Sequence, residues 1–227
     1  MATHVKVLSA GAVQHGLSQL AEAFRLDGES PVEIEFATAP AIAKRMAAGY
    51  STDVIVAPPD LLDTLTTTGL LASRIVSLGR IGVGVMVRAG TPLPGIADLA
   101  EFKQSLRIAE QIIYNQASTG IYLDRLFDRL GLAAELEAKI TRYPDFAAVR
   151  NHVANRHGNA IGFGATTVIA ESAGKGVVFV GPLPMEIQNY TAYAAALTAT
   201  AGDGAAAFMD YVATAAAKSI LRSAGIE

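Results

Sequence analysis

Short apolar runs that alternate with amphipathic helices limit what this chain can fold into. Val5–Ser9, Val32–Phe36 and Asp53–Ala57 each read as a strand, and each leads through a turn into helical spacing. After the first, Val13, Leu17, Leu20 and Phe24 form one stripe of a helix that Asp27-Gly28 closes. Ala37-Thr38-Ala39-Pro40 turns into a second helix that stops at Gly49, with proline in the first turn, where it is favoured. Pro58-Pro59-Asp60 opens a third. Strands joined through helices pair in parallel with right-handed crossovers. The expected class is therefore α/β, mostly parallel sheet flanked by helices.

The rest of the chain predicts a second body inserted into the first. A strand pair is expected at 75–78 and 82–87, then a break at Thr91-Pro92-Leu93-Pro94-Gly95. A short helix over 96–103 and a strand within 106–113 follow, then a polar turn at 115–120. The next helix carries Tyr122, Leu126 and Leu130 and ends at Gly131. Thr141–Asp145 leads into a helix with Phe146, Val149 and Val153, and strands are expected at 160–163 and 177–180. The chain returns between Pro184 and Tyr190 to a strand over 191–197 and two closing helices, 203–214 and 214–224. Residues 1–87 with 190–227 make a discontinuous first lobe, and 88–189 the inserted second lobe with its hinge segments. A chain of 227 residues suits two lobes of about 100 each.

Composition removes several functions. Charged residues are 17% of the chain and net charge is −3, which argues against a nucleic-acid partner. With no cysteine, disulfides and thiolate chemistry are excluded. No apolar stretch of about 20 residues predicts membrane insertion. His152 and His157 do not share a helix face, so no metal pair is expected, and no cofactor loop is recognisable. Met1-Ala2-Thr3-His4 runs straight into a strand without an export signal. As it stands this reads as cytoplasmic, or periplasmic if a signal has been removed.

Four strand-to-helix junctions share small or hydroxyl residues: Ser9-Ala10-Gly11-Ala12, Ala37-Thr38-Ala39, Asn115-Gln116-Ala117-Ser118-Thr119-Gly120 and Gly162-Phe163-Gly164-Ala165-Thr166-Thr167. The first helical N–H groups have no intrahelical partner, and the macrodipole places partial positive charge there. Small residues let an anion reach those amides without any lysine or arginine. In open α/β sheets such ends line the ligand crevice. The candidate ligand-binding residues are Ser9, Ala10, Gly11, Ala12, Thr38, Ala39, Asn115, Gln116, Ser118, Thr119, Gly164, Ala165 and Tyr190, expected to meet in an interdomain cleft. Ser, Thr and Asn at helix starts are also ordinary capping chemistry.

In order, Val7-Leu8-Ser9-Ala10-Gly11-Ala12, Phe36-Ala37-Thr38-Ala39-Pro40, Ala48-Gly49 through Asp53-Val54-Ile55, Ile161-Gly162-Phe163-Gly164 and Ala217-Lys218-Ser219-Ile220-Leu221 with Ala224-Gly225 resemble the molybdate-binding class of type 2 periplasmic solute-binding proteins. The resemblance spans nearly the whole chain. It implies a two-lobe fold with two hinge crossings, a small-anion ligand and, if the protein is exported, an ABC transporter permease as partner. In that family serines of the first two turns hold the oxyanion. Ser9 matches the first, but the second turn has Thr38 between alanines, and the third junction has the bulkier Tyr114-Asn115-Gln116-Ala117-Ser118. These departures point from molybdate or another oxyanion toward an organic carboxylate.

The wider group includes members resembling isomerases of unsaturated tricarboxylates such as aconitate. Two functions therefore stand side by side: a solute-binding protein, and a cofactor-independent isomerase on the same scaffold. A cytoplasmic ligand sensor is a third. An isomerase needs a proton-shuttling side chain; His15, Tyr114 and Glu186 are the candidates, with Glu110 of similar standing. Gln188 and Asn189 lie at the expected hinge. Arg142 and Tyr143 are placed to donate to a carboxylate or to form a surface turn.

Overall fold

A computed structural model describes residues 4–227. Met1–Thr3, part of the segment behind the export reading, lie outside the described residues. The chain forms two compact units. Unit 1 comprises the residues up to Ile81 together with Thr191–Glu227, and unit 2 comprises Gly82–Tyr190.

Unit 1 opens with β1 (Val5–Ala10), a 3-10 turn (Gly11–Val13) and α1 (Gln14–Leu26). It continues through β2 (Val32–Ala37), α2 (Ala39–Ala47), β3 (Val54–Ala57) and α3 (Pro59–Thr67). The expected stripe of α1 faces inward: Val13, Leu17, Leu20 and Phe24 are all buried. β1 pairs in parallel with β2 on one side and β3 on the other. β3 carries four buried residues, Val54–Ala57, as a strand covered on both faces should. At the edge, β2 alternates exposed Glu33 and Glu35 with half-buried Val32, Ile34 and Phe36.

β4 (Leu71–Arg88) carries the chain from unit 1 into unit 2 at Ile81–Gly82, upstream of the crossing expected near Arg88. The two short strands expected there are one. Gly79 adopts φ +134°, and the neighbouring Arg80 exchanges N–H and carbonyl bonds with Glu227, so pairing persists where the apolar pattern breaks.

Unit 2 then runs through α4 (Leu99–Ile108), β5 (Gln111–Asn115), α5 (Ser118–Arg129), α6 (Ala133–Leu136), β6 (Ile140–Tyr143), α7 (Phe146–Asn155), β7 (Ala160–Ala165), α8 (Thr166–Ala170) and β8 (Val177–Pro182). α4 starts later than expected because Asp98 caps it, accepting from the Glu101 N–H at 2.9 Å. Leu106 is consequently its buried face, not part of a strand. β6 was hidden by its polar Thr141 and Arg142. α7 ends at Asn155, so His157 is off the helix altogether. β5, β6 and β7 are parallel, with β5 central; β4 joins β7 antiparallel, and β8 joins β4. The core gathers Phe102, Tyr114, Leu123, Phe127 and Phe163, with Phe102 and Phe163 in edge contact at 6.1 Å.

The chain re-enters unit 1 with β9 (Tyr190–Thr198), antiparallel to β3, then α9 (Asp203–Val212) and α10 (Ala215–Ser223). Phe208 of α9 meets Phe24 of α1 edge-on at 5.2 Å. Gly16 lets the chain end close on α1: a Cβ there would stand 2.9 Å from Ile226 Cδ1.

Candidate functional site

In unit 1 the first two junctions leave adjacent strands at the same end, since Ser9 pairs with Phe36 and Ala10 with Ala37. Ser9 is completely buried, and its hydroxyl donates to the Ala10 carbonyl at 3.1 Å. The hydroxyl proton is thus bound within the protein and is not offered to solvent at this turn. Among the described residues beyond its chain neighbours, nothing lies within 4 Å of where a Cβ on Gly11 would be, so packing does not require a glycine there. Gly11 and Ala12 are half-buried. Thr38, extended at φ −79° and ψ 155°, precedes α2 without a side-chain capping bond, and Pro40 removes one donor beyond Ala39.

In unit 2 the third and fourth junctions leave β5 and β7, which are parallel neighbours with Ile113 opposite Gly162. Asn115 folds its turn: its Oδ1 accepts from the Ala117 N–H at 3.1 Å. The exposed Gln116 donates its N–H to the Tyr143 carbonyl at 2.8 Å. Ser118 is half-buried and Thr119 buried in the first turn of α5. A Cβ at Gly120 would lie 1.8 Å from the Asn115 carbonyl oxygen, so only glycine lets the helix start sit this close to the strand end. Ala165 leads into α8 from buried Gly164.

These four helix starts have a common electrostatic character. None has a side-chain cap, and none has an acidic residue in its first turn. The other α-helices each have one or the other. Asp98, Asp145 and Thr214 cap α4, α7 and α10, while Asp60, Glu135 and Asp203 stand in the first turns of α3, α6 and α9. Caps and first-turn carboxylates quench the positive end of a helix. At the four candidate junctions that end carries neither a capping side chain nor a first-turn carboxylate.

The other candidates are more dispersed. Tyr114 is fully buried; its hydroxyl donates to Asp124 Oδ1 at 2.6 Å. Burial, reinforced by this bond to a carboxylate, pushes its pKa well above the ordinary phenol value, so it is held as a neutral donor. Arg142 donates to Asp124 at 2.8 Å and to Glu137 at 3.3 Å, and lies 5.5 Å over the Tyr114 ring. Its guanidinium is thereby committed to two carboxylates of the protein itself. Asp124 and Glu137 were not recognisable beforehand, because nothing in local spacing ties them to Arg142.

Tyr143, at the end of β6, shares a 2.8 Å hydrogen bond with His152 Nδ1, and His152 Nε2 lies 2.8 Å from Gln111 Oε1. Burial, with Arg156 nearby, lowers the His152 pKa from its ordinary 6.5. His15 is exposed on α1, with Nε2 3.1 Å from Gln19 Nε2. Glu186 is exposed in a single 3-10 turn, Met185–Ile187, and Glu110 is exposed before β5. The Gln188 amide binds both the N–H and the carbonyl of Val83, at 2.9 and 3.0 Å. Tyr190 remains 44% exposed at the start of β9.

Residues 5–227 match the family described as bacterial extracellular solute-binding protein. The chain is 30% identical to an aconitate isomerase of a Pseudomonas species, over 99% of this chain and 88% of that one. In fold it is similar to the periplasmic molybdate-binding protein of Azotobacter vinelandii, with a TM-score of 0.80 at 20% identity over 98% of each chain. It is also similar to L-phospholactate-bound PEB3 of Campylobacter jejuni, with a TM-score of 0.76 at 14% identity over 97% of this chain and 98% of that one. The fold is that of the two-lobe periplasmic binding proteins. Among the described residues no helix is long and apolar enough to cross a membrane.

Proposed function

Because the chain belongs to the family of bacterial extracellular solute-binding proteins, we propose that it binds a small organic carboxylate through backbone N–H groups at helix starts that lack a capping side chain. The observation that carries this reading is the selective absence of quenching: the junctions after β1, β2, β5 and β7 lack both cap and first-turn acid, while the remaining α-helices have one or the other. Oriented amides without a formal positive charge suit an anion that must also be released. An organic acid, rather than a compact oxyanion, is favoured by the buried Ser9 hydroxyl, whose proton is already given to the Ala10 carbonyl. If the protein is exported, an ABC transporter permease is the partner that would receive the ligand.

A second reading, cofactor-independent isomerisation of an unsaturated carboxylate such as aconitate, is favoured by the 30% identity to aconitate isomerase. On this reading Tyr114 is not the proton shuttle, since its hydroxyl is buried and held by Asp124. His15 or Glu186 would have to serve.

A thermal-shift panel tests the first reading. Tri- and dicarboxylates at a hundred times their dissociation constant should add about 2.7 kcal/mol, a rise of roughly 5–10 °C for a chain of this size. Stabilisation by molybdate or sulfate alone would refute it. Proton NMR of cis- and trans-aconitate in D2O with the protein separates binding from isomerisation, since an isomerase incorporates deuterium and interconverts the two.

A further inference from the structure

Tyr193 of β9 is only 6% exposed, yet its hydroxyl has no hydrogen-bond partner among the described residues. A buried tyrosine ordinarily finds one for its O–H, and a polar group taken from water without one costs stability. The other buried hydroxyls of unit 1 are spent within the protein. Ser9 donates to the Ala10 carbonyl, Thr52 to the Lys6 and Val54 carbonyls, and Thr198 to the Thr52 carbonyl. Nor is the Tyr193 oxygen sealed: among the described residues, the side-chain atom sealed without a partner is Arg88 Nε. It therefore reaches the surface at the end of an otherwise buried ring, with its proton uncommitted. Burial alone pushes the phenol up to about 12, so it remains a neutral donor.

Strand register fixes where this donor stands. Ser9, Val56 and Ala195 lie in one row across β1, β3 and β9. β9 runs against the other two, so the next row on that face is Gly11, Pro58 and Tyr193. This row lies just past the ends of β1 at Ala10 and β3 at Ala57. The face is the one that α9 and α1 cover. Val5, on the same face as Ser9, has Cγ2 3.5 Å from where a Cβ on Gly204 of α9 would be, and Phe208 of α9 meets Phe24 of α1. Side chains stand roughly perpendicular to a sheet, so the phenol rises on the side from which α1 starts, level with the turn at Gly11. Neighbouring strands are about 4.8 Å apart, which sets Tyr193 and Gly11 about 10 Å from one another. Above Gly11 the space is open, and the helix start there has neither a capping side chain nor a first-turn acid. Between the two, β3 ends in Pro58-Pro59, neither of which has an N–H to offer. Tyr193 supplies the donor that this part of the row lacks.

We propose that Tyr193 is a ligand-positioning residue of unit 1, its hydroxyl donating to a carboxylate held at the turn into α1. The inference rests on the function proposed above and names a side-chain contact in that same site. An ionised carboxylate only accepts, and a hydrogen bond to a charged acceptor is stronger than one between neutral groups. A neutral hydroxyl gives such a ligand direction without holding it by formal charge. Solvation by water alone is the competing account, and dependence on ligand separates the two.

Calorimetric titration of trans-aconitate and of tricarballylate into the wild type and Tyr193→Phe tests this. Phenylalanine keeps the buried ring and removes the hydroxyl alone. The free variant should unfold at the wild-type temperature or above it, since the lost group had no protein partner. Its affinity for the tricarboxylates should fall roughly 10-fold or more. In wild-type protein isotope-labelled at tyrosine Cζ, the NMR resonance that Tyr193→Phe deletes should shift when tricarboxylate is added. Unchanged affinity in Tyr193→Phe overturns the contact and leaves the proposed function standing. A fall in affinity with an unmoved Tyr193 resonance also overturns it, because the effect is then indirect. A wild type that binds neither tricarboxylate overturns the proposed function and this inference with it.

Discussion

Two helices of unit 2 leave neighbouring parallel strands, α5 after β5 and α7 after β6, and they begin in opposite ways. The start of α7 is closed by Asp145, which accepts from the Ala148 N–H at 2.9 Å and sets a carboxylate on the positive end of the helix. The start of α5 follows Ala117, which has nothing to offer, and no acid stands in its first turn. Local folding prefers the α7 solution, since a side-chain cap contributes about 1 kcal/mol. The chain uses it again at α4 and α10. Leaving α5 open forgoes that stability, and the donors so released are what an anion would use.

The strongest way to break this contrast is to move the α5 start. Gly120→Ala sets a Cβ where the Asn115 carbonyl oxygen stands, 1.8 Å away. Backbone must shift, so we expect a loss of about 3 kcal/mol or more and loss of ligand-induced stabilisation, both read from thermal unfolding with and without tricarboxylate.

Converting α5 to the α7 pattern separates stability from binding. Ala117→Asp supplies a cap and a negative charge at once. It should stabilise the free protein by about 1 kcal/mol while weakening anion binding at least ~10-fold, since the new carboxylate occupies the amides and repels the ligand. A variant that is both more stable and binds as before would show that these amides do not hold the anion. The converse substitution, Asp145→Ala, should cost about 1 kcal/mol and leave affinity within twofold.

How much of this could be read from sequence depended on the range of each interaction. α1 was visible because Val13, Leu17, Leu20 and Phe24 repeat within one helix, and the first three strands because their apolar runs are short and bounded by turns. β6 was not, because an edge strand need not be apolar throughout, and Thr141 and Arg142 disguise it. The junctions could be named from small residues at strand ends. Whether each was capped could not, since Asp145 and Thr38 both precede helices and only geometry shows that one caps and the other does not. By sequence Tyr114 is a candidate proton shuttle; Asp124 and Arg142, brought in by α5 and β6, make it a structural donor. The rings of Phe179 and Phe146 that lie on Gly84 and Gly164 come from β8 and α7, contacts that no local pattern encodes.

The smallest expected effect concerns pH and the support of α7 beside that contrast. His152 is held between the Tyr143 hydroxyl and the Gln111 amide oxygen, both at 2.8 Å, and burial lowers its pKa below the ordinary 6.5. With Nε2 donating to Gln111, a neutral ring leaves Nδ1 to accept from Tyr143. A histidine whose folded-state pKa is depressed contributes stability that is present above its unfolded value and lost as pH falls through the folded one. Unfolding free energy should therefore decline from pH 7 to pH 5 more steeply in the wild type than in His152→Gln, which keeps polar atoms at this position but cannot take up a proton. Because Tyr143 also holds the Gln116 N–H through its carbonyl, ligand affinity should follow the same pH trend in the wild type if the turn before α5 depends on this support. Parallel pH slopes for the two proteins would assign the acid sensitivity elsewhere and leave the α5 turn independent of His152.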